Sequence, residues 1–362
     1  MTKIFHFIFL LAVLLFSMLL TACNGNTNNK TAKESPICYM GAKYEPPDGR
    51  VIHGLGQYVP LFYTDEENWQ YVDEYRAATG HKPMVYAVYA FLDPISAGFD
   101  LPDIRKILDN SGTGYILNVG IDMHSVESWI GGTIVVPADT ILGGYWDIRI
   151  RELAGIIKSI GEPVYVRPGF EFGSGNHGAH AADDFTAEEF KAIWIRIVNI
   201  FAEEGVENVA WVWNTVNPWM FDYTQWYPGD AYVDWWGINY FTLEQIESSD
   251  QFLKDAKEHN KPVMICESSP IHNEGATNAQ NWQQWYKPFF DKIDAFPHIK
   301  GFIYISNPWD KPGFWDDWAD SRINNHSTDP EVRKNYAKEI EKGKYIHLDE
   351  YLNDKSIING LK

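Results

Sequence analysis

The sequence predicts an α/β chain folded as a (β/α)8 TIM barrel, and three observations carry that prediction. Eight short β-rich runs follow one another along residues 37–362. Longer segments of helical period separate them, the alternation expected of a parallel sheet closed on itself. No glycine fingerprint follows the first run, so an open dinucleotide-binding sheet lacks its main signal.

In chain order, residues 1–22 come first. Lys3 precedes an uncharged, largely apolar run from Ile4 to Ala22, the layout of a secretory signal. Leu20-Thr21-Ala22-Cys23 resembles a bacterial lipobox, which implies a lipid attachment site at Cys23 and a mature chain starting there. An uncleaved membrane anchor is the competing reading, since the run is just long enough to span a bilayer. Both readings place the domain in the cell envelope, facing periplasm or exterior. Residues 23–36 carry no large apolar side chain and read as a flexible tether. Residues 37–362 suit one large barrel.

The strand runs begin at Val51, Pro83, Gly114, Pro163, Asn208, Val233, Pro262 and Gly301. Their apolar continuity, without clean polar alternation, suits parallel strands covered on both faces. Among the helices, Thr186 and Glu189 form a capping box ahead of a stripe at Phe190, Ile193, Trp194, Ile197, Ile200 and Phe201, and Gly205 is placed to end the helix. A second helical face carries Trp282, Trp285, Tyr286, Phe289, Phe290 and Ile293. A third runs through Trp146, Ile150, Leu153, Ile157 and Ile160 to Gly161.

Charge narrows the partner. With 49 acidic against 30 basic residues and a net charge of -19, the chain does not suit nucleic acid or other polyanions, whose binding is driven by Lys and Arg. The 15 tryptophans suit a neutral sugar polymer, because sugar rings present flat C–H faces that stack on aromatic rings. More than half of these aromatics are nonetheless expected in the core. Beyond Cys23, Cys38 and Cys266 are either one disulfide or two free thiols.

A barrel of this kind builds its site at the carboxyl ends of the strands. Two of those ends carry glutamate. On the fourth strand, Arg167, Gly169 and Glu171 alternate along one face. On the seventh, an apolar run ends at Glu267, a costly place for a carboxylate without a purpose or a partner. A salt bridge at a loop explains one such glutamate, with Arg167 as its partner; two on one rim point to paired-carboxylate chemistry. Retaining glycoside hydrolysis needs one carboxylic acid to protonate the leaving oxygen and one carboxylate at the anomeric carbon, about 5–5.5 Å apart. The carboxylate paired with Arg167 stays ionised and attacks, while its neighbour holds the proton.

These glutamates, together with WVWN (Trp211–Asn214), YPGDAYVDWWGINYF (Tyr227–Phe241) and ISNPWD (Ile305–Asp310), resemble the clan A retaining glycoside hydrolases, nearest to family 26, the β-mannanase-like group. The resemblance implies Glu171 as acid/base, Glu267 as nucleophile, Tyr240 hydrogen-bonding the nucleophile and Trp309 as a platform under the sugar. It implies action on a β-linked polysaccharide such as β-mannan, without cofactor or metal. The chain departs from the family where a polar His or Asn usually precedes the acid/base: here Phe170 stands, and Phe172-Gly173 replaces Asn-Gly. The departure leaves room for another β-glycan, or for a non-catalytic glycan-binding lipoprotein on the same barrel.

Trp213, Asn214, Gln57 and Asn307 are expected to line the site, and Asp122 to end the third strand near it. Asp320-Ser321-Arg322 reads as a paired cluster near the eighth-strand loop. His177 and His180 form a His-x-x-His without a clear third ligand, which favours a sugar-contacting or solvated loop over a metal-dependent hydrolase.

Overall fold

The computed structural model describes residues 39–58, 64–93, 115–125, 136–172, 185–271, 281–309, 320–324 and 330–358. Contacts divide the chain into Met1–Tyr39 and Met40–Lys362. The signal segment 1–22, the tether 23–36, Cys23, Cys38, His177 and His180 lie outside the described residues.

The eight expected strands form in order: β1 Val51–Gly56, β2 Val85–Asp93, β3 Ile116–Ser125, β4 Val164–Pro168, β5 Val209–Thr215, β6 Trp235–Tyr240, β7 Val263–Ser268 and β8 Ile299–Ile305. Each pairs in parallel with the next, and β1 pairs with both β2 and β8, so the cylinder closes. A short ninth strand, β9 Tyr345–Ile346, lies alongside the start of β1. At two residues it is too brief to leave a periodic pattern in sequence.

The helices are α1 Asp65–Thr79, α2 Ala138–Leu142, α3 Asp147–Ile160, α4 Ala187–Glu203, α5 Leu243–Glu247, α6 Asp250–Glu258, α7 Lys287–Ala295, α8 Pro330–Ile340 and α9 Leu348–Asn353. In α4 the capping box forms as read: Thr186 accepts from the Glu189 N–H, and Glu189 accepts from the Thr186 N–H. The Thr186 N–H foremost, and then the Thr186 hydroxyl, which also donates to that carboxyl, hold Glu189 below its usual range. All six apolar residues of the α4 stripe are buried, each contributing about 1.5–3 kcal/mol relative to exposure. Gly205, at φ +66°, follows the α4 terminus in the left-handed conformation that glycine adopts without a Cβ penalty. The helix at Trp282 departs from its expected form. Its first turn, Trp282–Tyr286, is wider than an α-turn, and α7 proper starts at Lys287; the adjustment stacks Trp285 on Phe289 with ring centroids 5.0 Å apart.

Inside the cylinder, side chains lie in layers. Below, the segment from Met40 to Asp48 is tied to the strands: Tyr165 donates to the Tyr44 carbonyl at 2.7 Å, and Trp235 to the Lys43 carbonyl at 2.8 Å. Glu45 accepts three backbone N–H groups and ion-pairs with Lys300, and neither charge is exposed. Midway, Asn118, Met264, Gly237 and Cys266 fill the barrel; a Cβ on Gly237 would sit 2.8 Å from the Cys266 sulfur and 2.9 Å from the Asn214 Cβ. Cys266 is a free, buried thiol, pushed up to about 12 chiefly by burial, against the lowering charge of Arg167. Above this layer, at the carboxyl ends of the strands, the polar groups converge.

Candidate active site

β4 runs as a strand only to Pro168, and the next residues turn sharply. Gly169 and Glu171 take φ values of +55° and +58°; for a non-glycine residue that conformation costs roughly 1–2 kcal/mol. Phe172 then bridges back to Thr215 of β5, whose hydroxyl donates to the Phe172 carbonyl at 2.9 Å. The simple alternation read along the fourth strand therefore breaks. Phe170 also faces inward: its ring lies 5.2 Å from that of Tyr89 and 5.0 Å from the Arg167 guanidinium carbon. Gly120 on β3 makes the room, since a Cβ there would lie 2.9 Å from both rings.

Arg167 is fully buried. Its Nη1 donates to Glu267 Oε1 at 2.7 Å and to Asn214 Oδ1 at 2.8 Å. Burial alone would lower the arginine pKa, but the facing carboxylate reverses that and holds it above its ordinary value. Among the described residues, Arg167 Nε and Nη2 have no hydrogen-bond partner; the guanidinium instead lies against the faces of Phe170 and Tyr89.

A second group holds Glu267. Tyr89 donates to its Oε1 at 2.9 Å and also touches the Gln57 side chain. Burial, then the charge of Glu267, pushes the Tyr89 phenol well above its ordinary pKa, so it is a proton donor across the accessible pH range. Glu171 lies at the same mouth and is nearly as buried, 9% exposed against 6% for Glu267. The two carboxylates are joined by a chain of side chains. Asn214 Nδ2 donates to Asn239 Oδ1 at 3.1 Å, and Asn239 Nδ2 donates to Glu171 Oε1 at 2.7 Å. Register places Asn239 directly across from Glu267 on neighbouring strands.

Other residues singled out by sequence fall elsewhere. The hydroxyl of Tyr240, expected at the nucleophile, donates instead to Ser249 at 2.7 Å. Pleat alternation explains the correction: Asn239 points into the barrel, so Tyr240 points out, toward Phe289 of α7. Trp213 is likewise an outer residue, fully buried among Phe172, Tyr227, Trp236 and Phe252, so its ring packs between barrel and helices and does not line the mouth. Trp309 follows β8 at the rim, buried in a small cluster with Phe241, Ile305 and Ile271. Asn307 is fastened through Ser321, whose hydroxyl accepts its N–H at 3.2 Å. Asp320 pairs with Arg322 at 2.5 Å, and Arg322 reaches Glu74 of α1, so this cluster ties the rim to a helix. Asp122 is buried on β3.

Tyr89 and Asn239 were missed by sequence reading. The signal for Asn239 was present, since a lone amide inside the apolar run WWGINY is as costly there as the glutamate that drew attention on β7. Tyr89 left no such mark among the aromatics of its strand. Among the described residues, no cluster of His, Cys, Asp and Glu has the makings of a metal site.

Residues 157–292 match Glycosyl hydrolase family 26. The chain is 25% identical to a beta-1,3-xylanase (TXYA) of a Vibrio species, over 89% of this chain and 73% of that one. It is 26% identical to a beta-1,3-xylanase of an Alcaligenes species, over 88% of this chain and 71% of that one. Among solved structures, GH26C of a Muricauda species superposes with a TM-score of 0.62 at 16% identity, over 85% of this chain and 88% of that one. The catalytic domain of the endo-beta-1,4-mannanase of Bacillus sp. JAMB-750 does so with a TM-score of 0.57 at 19% identity, over 84% and 89%. At such identities these structural likenesses speak to the barrel.

Proposed function

We propose that this chain, whose residues 157–292 match Glycosyl hydrolase family 26, hydrolyses a β-linked polysaccharide with retention, Glu267 acting as nucleophile and Glu171 as acid/base. One observation carries the reading: two nearly buried carboxylates stand at the carboxyl ends of β4 and β7, and the one on β7, Glu267, is paired with the Arg167 guanidinium. The difference in surroundings assigns the roles. Arg167 and Tyr89 both donate to Glu267, which fixes its orientation and aims it as a nucleophile. Glu171 receives an uncharged amide N–H and sits in the field of its ionised neighbour, the setting of a group that holds a proton.

In the first half-reaction the carboxylate of Glu267 attacks the anomeric carbon while Glu171 gives its proton to the departing glycosidic oxygen. A glycosyl ester on Glu267 results. In the second half-reaction Glu171, now ionised, removes a proton from water as that water attacks the same carbon and frees Glu267. The Arg167 guanidinium itself stays buried against the Phe170 and Tyr89 rings beside the nucleophile.

The relatives matched over most of the chain are named for β-1,3-xylan, so that polymer stands ahead of β-1,4-mannan as the substrate we propose. Incubation with β-1,3-xylan, β-1,4-xylan, β-1,4-mannan and β-glucan, with the first-formed anomer read by NMR, tests the reading. Release of the β-anomer supports it, and release of the α-anomer removes retention. Absence of any product, or turnover by Glu267→Ala equal to the parent, removes the assignment. A lipid anchor at Cys23 is proposed on the strength of Leu20-Thr21-Ala22-Cys23; radiolabelled palmitate should enter the parent in a bacterial host and not Cys23→Ala.

A further inference from the structure

The hydrogen-bond chain between the two carboxylates has a direction. A guanidinium can only donate, so the atom of Asn214 that meets Arg167 Nη1 at 2.8 Å is its oxygen. A backbone carbonyl can only accept, so the atom of Asn214 that meets the Thr215 carbonyl at 3.2 Å is its nitrogen. These two contacts lock the Asn214 amide. Its remaining N–H points at Asn239, which must answer with its oxygen and is left with its nitrogen facing Glu171 Oε1 at 2.7 Å. Every group is buried, so reversing an amide would set acceptor against acceptor and donor against donor without water to repair it.

We infer that Asn239 fixes which oxygen of Glu171 carries the proton: Oε1, held by the Asn239 N–H, is the carbonyl oxygen, and Oε2 is the hydroxyl that delivers the proton. In a carboxylic acid the carbonyl oxygen is the better acceptor and the hydroxyl the donor, so an enforced donor at Oε1 excludes the proton from it. Asn239 is thereby a positioning residue, acting through Glu171, and Asn214 is the residue that sets it. This inference rests on the proposed acid/base role of Glu171. Among the described residues, Tyr89 of β2 and Cys266 of β7 feel the charge of Glu171, and both also feel Glu267 of β7 and Arg167 of β4.

The test uses the full chain. Glu171 is followed in two ways, by the 13C resonance of its carboxyl in protein labelled at glutamate Cδ, and by its infrared C=O stretch below its titration midpoint. Both signals are assigned by their loss in Glu171→Gln. In Asn239→Ala the C=O stretch should move to higher frequency, because Oε1 loses its donor, and the carboxyl should titrate at higher pH, because the ionised form loses one too. The basic limb of the pH–rate profile should follow, with kcat on polysaccharide falling about 10-fold or more and KM little changed. An aryl glycoside with a good leaving group should be spared most of that loss in its first step.

Should Asn239→Ala fail to fold, Asn239→Leu keeps the branched shape, offers no donor and carries the same expectations. Asn214→Ser, which frees the Asn239 amide to turn, should give the same infrared shift in smaller measure. An unmoved C=O stretch and titration midpoint in a folded Asn239 variant overturns the inference while leaving the hydrolase reading intact. A parent protein that hydrolyses no glycan overturns the hydrolase reading, and the spectroscopic shifts still decide where the proton sits.

Discussion

Arg167 Nη1 lies 2.7 Å from Glu267 Oε1, and the same nitrogen holds Asn214 at 2.8 Å. One buried nitrogen thus serves the carboxylate on β7 and the amide on β5, and through that amide the carboxylate on β4. The barrel mouth is wired across its diameter by a side chain that sequence suggested as a salt-bridge partner and, with Phe170, as a substrate contact.

Arg167→Lys should separate charge from geometry. A lysine ammonium is a compact point charge on a flexible stem and lacks the rigid fork, so it cannot hold Glu267 and Asn214 together. Turnover should fall about 100-fold, at a cost of roughly 2–3 kcal/mol in the barrier, with folding retained. Arg167→Met leaves Glu267 buried and uncompensated, and urea unfolding should show a loss of about 3–5 kcal/mol. Equal stability of the Met and parent proteins would argue that water reaches Glu267.

Tyr89→Phe removes a donor to the proposed nucleophile and little volume. At the optimum pH kcat/KM should fall about 10- to 100-fold, the worth of a hydrogen bond to a charged group. A kcat/KM equal to the parent's excludes Tyr89 from holding Glu267 for attack.

Gly120→Ala should injure the site from behind. The new methyl would come within 2.9 Å of the rings of Phe170 and Tyr89, both of which face Arg167. Overpacking of this kind costs about 1–3 kcal/mol, and the displaced rings should lower activity as well. In the double variant Gly120→Ala/Phe170→Leu, the melting temperature should recover in part. If the single variant melts and turns over like the parent, the rings have slack that the packing denies.

At the other end of the barrel the buried His53 meets two half-buried histidines: His53 Nδ1 lies 2.9 Å from His347 Nδ1, and His347 stacks on His81 at 4.0 Å. Burial, then the neighbouring imidazoles, lowers His53 well below its ordinary value and His347 to about 4. Between pH 6.5 and about 4 the unfolded chain therefore binds a proton at residue 347 that the folded chain refuses. More protons on the unfolded side mean that stability rises with pH and is lost as pH falls through that window. His347→Gln should flatten the slope of Tm against pH there, whatever its effect on Tm itself. A slope equal to the parent's assigns the acid sensitivity to other groups.

The architecture was readable from sequence because it depends on repetition. Eight apolar runs with helices between them can bury their faces by closing on themselves, and the pattern recurs often enough that an error of a few residues at any one end is harmless. The two glutamates were readable because a carboxylate at the end of an apolar strand is conspicuous. Of their partners, Arg167 was named without its glutamate, and Tyr89 and Asn239 were not named at all. Whether Asn239 or Tyr240 enters the barrel depends on a one-residue phase, the phase shifts where strand pairing slips between Ile238 and Asn239, and a strand buried on both faces leaves no polar alternation to reveal it.

What the sequence determined by itself was the closed barrel, the rim on which the chemistry is proposed, and the two acidic side chains placed there. Only the tertiary structure decided that Arg167 pairs with Glu267, that Tyr89 and not Tyr240 donates to it, and that two asparagines run from Arg167 to Glu171. The physical reason is distance along the chain. Residues 89, 167, 214, 239 and 267 sit on five different strands, and their hydrogen bonds exist only once closure has fixed the stagger of each strand against the next.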